Sequence, residues 1–132
     1  MIVLDTSIVV DLLLALPPHY DTILARVRDH ARELAAPHLL DAEVGQVLRR
    51  FVRSGSIEAR RAEQAIADFL DLGLVRYAHG PLLARAFELR ENATVHDGLY
   101  LVLAETLGAA LLTRDAALAT IPGHRARVEV IA

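Results

Sequence analysis

The chain has 132 residues, 54% of them hydrophobic, and a formal net charge of −3 at pH 7, which sets one domain, residues 1–132, with enough chain to bury a core unaided. Cysteine and lysine are both absent, all 14 basic residues being arginine; this excludes thiolate nucleophiles, Cys-ligated zinc, Schiff bases and a phosphate-loop lysine. The acidic balance argues against a uniformly basic nucleic-acid binder.

The first stretch, Met1-Ile2-Val3-Leu4-Asp5-Thr6-Ser7, runs from apolar residues straight into a carboxylate and two hydroxyls, the pattern of a buried strand ending at a sheet edge. Ile8 to Leu16 then reads as a mostly buried helix stopped by Pro17-Pro18. That run is broken by Asp11 and falls far short of the about 20 apolar residues a membrane span needs. Nor does it read as a leader, since the first basic residue is Arg26 and Asp5 interrupts it. A cytoplasmic protein without a membrane partner is the expectation, with the apolar surplus placed in a sheet buried on both faces and a partner surface.

A second helix is predicted over Tyr20 to Arg32, with Ile23, Leu24 and Val27 inward, and Glu33 to Pro37 has the length of a short strand. Leu40, Val44, Val47, Leu48 and Phe51 mark one face of a helix from Leu39 to the Ser54-Gly55-Ser56 turn. The next helix, Ile57 to Leu72, is read as capped by Ser56 and closed near Gly73, so the two form an antiparallel hairpin. Leu74 to Tyr77 is a strand, and a helix runs from Pro81 to about Arg90. Another begins at Thr94-Val95-His96-Asp97, carries Leu99, Val102, Leu103 and Leu107 inward, and stops at Gly108. Ala109 to Thr113 is an apolar strand that again ends in polar residues, Thr113-Arg114-Asp115; a helical turn and a strand over Val128 to Ile131 follow. Strands alternating with helices predict right-handed crossovers and one α/β/α sandwich around a parallel sheet.

Four carboxylates stand where such a fold could gather them: Asp5, Glu43, Asp97 and Asp115. The carboxyl edge of an open parallel sheet is where ligands bind. Each also has a structural reading, since Asp5 and Asp115 can cap the helices after them, Asp97 completes a Thr94-x-x-Asp97 capping box and Glu43 can pair with Arg50. Asp41, two residues from Glu43, points to the other side of its helix. Convergence would need a counter-charge, because neighbouring carboxylates raise one another's pKa. A divalent cation supplies one, and oxygen-only donors suit Mg²⁺ or Mn²⁺, whose usual chemistry in such sites is water attack on a phosphodiester.

Ile2-Val3-Leu4-Asp5-Thr6-Ser7, Asp41-Ala42-Glu43-Val44, His96-Asp97-Gly98-Leu99-Tyr100 and Leu112-Thr113-Arg114-Asp115, in this order, resemble the PIN-domain ribonucleases, most of all the VapC-type toxins of toxin–antitoxin modules. The resemblance covers essentially the whole chain. It implies a five-stranded parallel sheet in an α/β/α sandwich and a Mg²⁺- or Mn²⁺-dependent endoribonuclease. It further implies Asp5, Glu43, Asp97 and Asp115 as metal-binding acids, Thr6 and Thr113 as the accompanying hydroxyls, an RNA substrate, a small antitoxin partner and a homodimer.

RNA needs basic positions near an acidic site. Arg49, Arg50 and Arg53, with Arg60 and Arg61, cluster on the helical hairpin, and Arg114 adjoins Asp115; solvated helix faces paired with Glu58 and Glu63 are the alternative reading. His96 reads as a surface or capping residue, and His19, His38 and His79 lack metal-ligand spacing. A receiver-type signalling domain fits less well without a late lysine, as does a haloacid-dehalogenase-type phosphatase without Asp-x-Asp at the first strand. A PIN-like fold kept for protein interaction, or a housekeeping RNA-processing nuclease, remains the rival function.

Overall fold

The computed structural model describes residues 1–30 and 33–132. Ile2–Leu4 (β1), Leu34–Pro37 (β2), Val75–Tyr77 (β3), Ala110–Thr113 (β4) and Arg127–Val130 (β5) form an all-parallel sheet in the order β3-β2-β1-β4-β5. β1 lies at its centre, with Ile2 opposite both Leu34 and Ala110. The chain crosses from one side of β1 to the other between β3 and β4, so the crevice above β1 and β4 is the switch point of the topology. β1 and β4 are buried along their whole length, which is why both read as unbroken apolar runs.

The helices are Thr6–Leu14 (α1), Tyr20–Asp29 (α2), Leu39–Arg53 (α3), Ala59–Leu70 (α4), Gly80–Glu88 (α5), Val95–Leu107 (α6) and Ala116–Ala119 (α7). α1 packs on α2, α3 and α4, whereas α6 packs on α5 and along β1, β2 and β4, giving the three layers. Residues 98–104 of α6 are buried on every side, so its apolar pattern is not confined to a stripe. Gly98 lets α6 approach α5: a Cβ there would lie 3.2 Å from the Ala86 carbonyl oxygen and 3.3 Å from the Ala86 Cβ.

α1 begins two residues before the predicted Ile8, because Asp5 already caps it, and ends at Ala15, whose φ of 52° closes the last turn. α2 ends at Asp29; the predicted final turn through Arg32 reaches residues 31 and 32, outside the described residues. Ser56 does not cap α4. Its hydroxyl meets that of Ser54, and Ser56 and Ile57 both donate their backbone N–H to the Phe51 carbonyl, which prolongs the turn to an extended Glu58. α3 has no capping side chain at His38; its Leu39 N–H instead donates to His79 Nε2 at 2.9 Å, a cap brought from the segment before α5. α6 is bounded as its sequence predicts, Thr94 accepting from the Asp97 N–H at 3.1 Å and Gly108 closing the helix at φ 62°.

Candidate active site

Asp5 leaves β1 at the carboxyl edge and is 9% exposed. Its Oδ1 accepts the Ile8 N–H at 3.2 Å and the Ser7 hydroxyl at 2.7 Å, and its Oδ2 accepts the Thr113 hydroxyl from the end of β4. Burial pushes the Asp5 carboxyl above its ordinary range; the hydrogen bonds from Ser7, Thr113 and Ile8 oppose that rise, and the charge of Glu43 adds to it.

Glu43, half-buried on α3, takes the Thr6 hydroxyl at 2.9 Å and the Tyr100 hydroxyl at 2.6 Å on the same oxygen, Oε1. Glu43 thus contacts α1 and α6, not Arg50, the partner that the alternative structural reading gave it. Burial and the Glu43 acceptor drive the Tyr100 phenol far above its ordinary pKa, so Tyr100 is a fixed donor that sets the carboxylate's orientation.

Asp97 lies half-buried in the first turn of α6, and its carboxyl is raised by burial and then by Asp115 and Glu43, against the Thr94 hydroxyl and His96. Asp115 caps α7 through the Ala117 N–H at 2.9 Å, while its own N–H donates to Thr113 Oγ1 at 3.0 Å. Capping and convergence prove compatible: Asp5, Glu43, Asp97 and Asp115 line one cavity of about 210 Å³ together with Thr6, Ser7, Tyr100 and Leu118. Thr113 stands behind it, fully buried, joining Asp5 to the Asp115 backbone.

The donor set is made of hard oxygens and gathers negative charge that a divalent cation would relieve, so it fits Mg²⁺ or Mn²⁺ by chemistry. Among the described residues, no three carboxylates already stand at gripping distance of one ion. Asp5 and Glu43 are turned onto protein donors instead.

The raised carboxyls have a consequence for stability. A group whose pKa is higher folded than unfolded contributes stability that is complete below the unfolded value and lost as pH rises through the folded one. Metal-free Asp97→Asn is thus expected to be more stable than wild type at pH 7 by about 0.5 kcal/mol, the size of a half-exposed charge repulsion, or about 2 °C in melting temperature. The gap should shrink as pH falls through the raised Asp97 pKa and the wild-type carboxyl takes up its proton. Melts in EDTA across this range check it, and a gap independent of pH would remove the repulsion.

The arginines divide. Arg49, Arg50 and Arg53 are exposed on α3, and Arg49 and Arg53 line a separate groove of about 320 Å³ between α3 and α4 with Leu48, Val52, Ala62 and Ile66. Arg61 is tied back to the Leu13 carbonyl at 2.6 Å, and Arg114 pairs with Asp11 at 3.0 Å. Asp41 is held away from the cavity by Arg76 at 2.7 Å. A larger depression of about 450 Å³ involves Glu105, eight residues beyond Asp97 on α6. Its Arg85 is already paired with Glu105 and Glu88.

Tyr100, Ser7 and Asp11 were not singled out by residue type. Tyr100 had a signal, lying three residues after Asp97 on one helix face, where a buried phenol needs a partner. Ser7 follows Asp5 by two residues, and Asp11 is the lone acid of an apolar helix.

With an acidic crevice at the switch point of its parallel sheet, the chain belongs to the PIN domain family, whose model matches residues 2–123. Within it, the chain is 38% identical to ribonuclease VapC12 of Mycobacterium tuberculosis over 132 residues, 100% of both sequences. It is 43% identical to ribonuclease VapC1 of the same organism over 97 residues, 73% of each. DNA-bound VapBC from Salmonella typhimurium shares the fold with a TM-score of 0.74 at 16% identity, covering 99% of this chain and 98% of that one. VapBC2 from Rickettsia felis, bound to a promoter DNA fragment, does so at 0.73 and 20%, covering 98% of each.

Proposed function

We propose that the protein is a divalent-metal-dependent endoribonuclease, the toxin of a type II toxin–antitoxin pair, with residues 1–132 as one nuclease domain. The observation that carries this reading is the meeting of Asp5, Glu43, Asp97 and Asp115, from four separate segments, around one cavity at the sheet's switch point. The ribonuclease names of the curated relatives and the absence of a helix long and apolar enough to cross a membrane among the described residues support it.

Asp5, Glu43, Asp97 and Asp115 would hold Mg²⁺ or Mn²⁺. The bound ion supplies counter-charge and Lewis acidity for hydrolysis of an RNA phosphodiester. The protein's part is orientation: Ser7, Thr113 and the Ile8 N–H fix Asp5, and Thr6 and Tyr100 fix Glu43. Arg49, Arg50 and Arg53 serve the RNA backbone by charge alone. The purified protein is expected to cleave single-stranded RNA in Mg²⁺ or Mn²⁺ and to stop in EDTA; undiminished cleavage in EDTA overturns the reading.

We place the antitoxin in the α3–α4 groove, whose apolar lining includes Leu48, Val52 and Ile66, the last 41% exposed, with Leu70 one turn further along α4 and 64% exposed. Arg49 and Arg53 at its rim favour an amphipathic segment with acidic positions. Hydrogen exchange on complex formation should show new protection over α3 and α4, and none there would move the interface elsewhere.

A further inference from the structure

The one acid of α1 is almost fully buried: Asp11 is 3% exposed in a helix whose neighbouring residues are Val9, Val10, Leu12 and Leu13. A buried carboxylate is costly unless paired, and an aliphatic residue at this position would pack without that cost. Its partner comes from the far end of the sequence. Arg114 Nε lies 3.0 Å from Asp11 Oδ2, close in distance but not aligned as a hydrogen bond, so the link is a Coulombic tether. His19 Nδ1, from the segment preceding α2, stands 3.7 Å from the same oxygen. The backbone of Arg114 is fastened as well, its N–H donating to Ser7 Oγ at 3.2 Å.

Arg114 sits between the two residues of β4 and α7 that serve the cleft. Thr113 on one side donates to Asp5, and Asp115 on the other faces the cavity. Its side chain is directed onto α1 and is 41% exposed.

We propose that Asp11 is a positioning residue for the acidic cleft, holding the Thr113-Arg114-Asp115 turn against α1 through the Arg114 guanidinium. Arginine suits the task because it keeps its charge at every working pH. Arg114 is on this account a tether, not a contact to RNA phosphate. The inference rests on the nuclease reading and concerns how its cleft is kept in shape.

The test compares the full-length wild type with Asp11→Asn, Arg114→Gln and their double variant. RNA cleavage is measured in Mn²⁺ at several salt concentrations, and the melting shift caused by Mn²⁺ is measured without RNA. Each single variant is expected to lose about ten- to a hundredfold in kcat, the scale of a slightly misplaced group, with KM within about twofold of wild type. Each should also gain less stability from Mn²⁺, and the double variant should be no worse than the poorer single, since both break one link.

A raised KM with a flatter salt dependence in Arg114→Gln, beside an unaltered Asp11→Asn, would make Arg114 a phosphate contact and overturn the proposal. Should the singles fold poorly, Asp11→Leu combined with Arg114→Met replaces the buried pair by apolar packing. This form is expected to melt at or above the wild-type temperature yet keep a low kcat; a wild-type kcat in it would reduce the pair to a structural contact. A wild type that neither cleaves RNA nor gains stability from Mn²⁺ sinks the nuclease reading and this one with it. An active wild type matched by Asp11→Asn sinks this one alone.

Discussion

Asp5→Asn and Asp97→Asn are each expected to lower the rate of RNA cleavage by about a thousandfold, the loss that follows removal of a group acting directly on developing charge. Both substitutions keep shape and capping ability, since an Asn amide oxygen can still accept the Ile8 N–H at position 5, and Thr94, not Asp97, supplies the side-chain oxygen that caps α6. What they remove is negative charge facing the cavity. The second readout is the melting temperature in millimolar Mn²⁺. A ligand that binds only the folded state stabilises it in proportion to the logarithm of its concentration over Kd, about 2.7 kcal/mol at a hundredfold excess. Wild type should show this gain and Asp97→Asn much less of it. Full activity, or an equal Mn²⁺ shift in Asp97→Asn, would take that residue out of the site.

Gly98→Val is expected to cost about 2–3 kcal/mol by overpacking, or roughly 8–10 °C in melting temperature. The reason is local: an added Cβ already falls 3.2 Å from the backbone oxygen of Ala86, and valine's branched methyls are held to one favoured rotamer in a helix and cannot turn freely to avoid it. The backbone of α5 must then retreat from α6, whose residues 98–104 are buried throughout. Because Asp97 precedes Gly98 and Tyr100 follows it, the same displacement disturbs the acidic cavity. Thermal unfolding together with Mn²⁺-dependent cleavage checks both effects, and a melting temperature within about 1 °C of wild type would show that α5 yields freely.

The central strands were the most legible part of the chain. Two short apolar runs that each end in a hydroxyl and a carboxylate fit few other structures, and they proved to be adjacent strands whose ends hold Asp5, Thr113 and Asp115. α6 was legible at both ends for a chemical reason, a threonine acceptor at the start and a glycine at the finish. Ser56 misled because its sequence position suits a cap, whereas the cap was decided by where the Phe51 carbonyl found its donors. Leu39 could not have been matched with His79, since that bond joins residues 40 apart in sequence. The same holds for Tyr100 on Glu43, 57 residues away, and for Arg114 on Asp11: residue types and local spacing announce the acids but not their partners.

The central place of β1 also bears on what happens while the protein is being made. Asp5 and Glu43 leave the ribosome early, but the donor that completes Asp5 is 108 residues further on, and Tyr100 comes 57 residues after Glu43. Until β4 has emerged, β1 lacks the neighbour that pairs with Ile2, Val3 and Leu4. A nascent or prematurely terminated chain ending before Thr113 therefore holds at most three of the four acids, never the cleft. On the proposed nuclease reading the cleft is assembled only once β4 docks on β1, so chains that stop short of β4 are expected to leave RNA uncut.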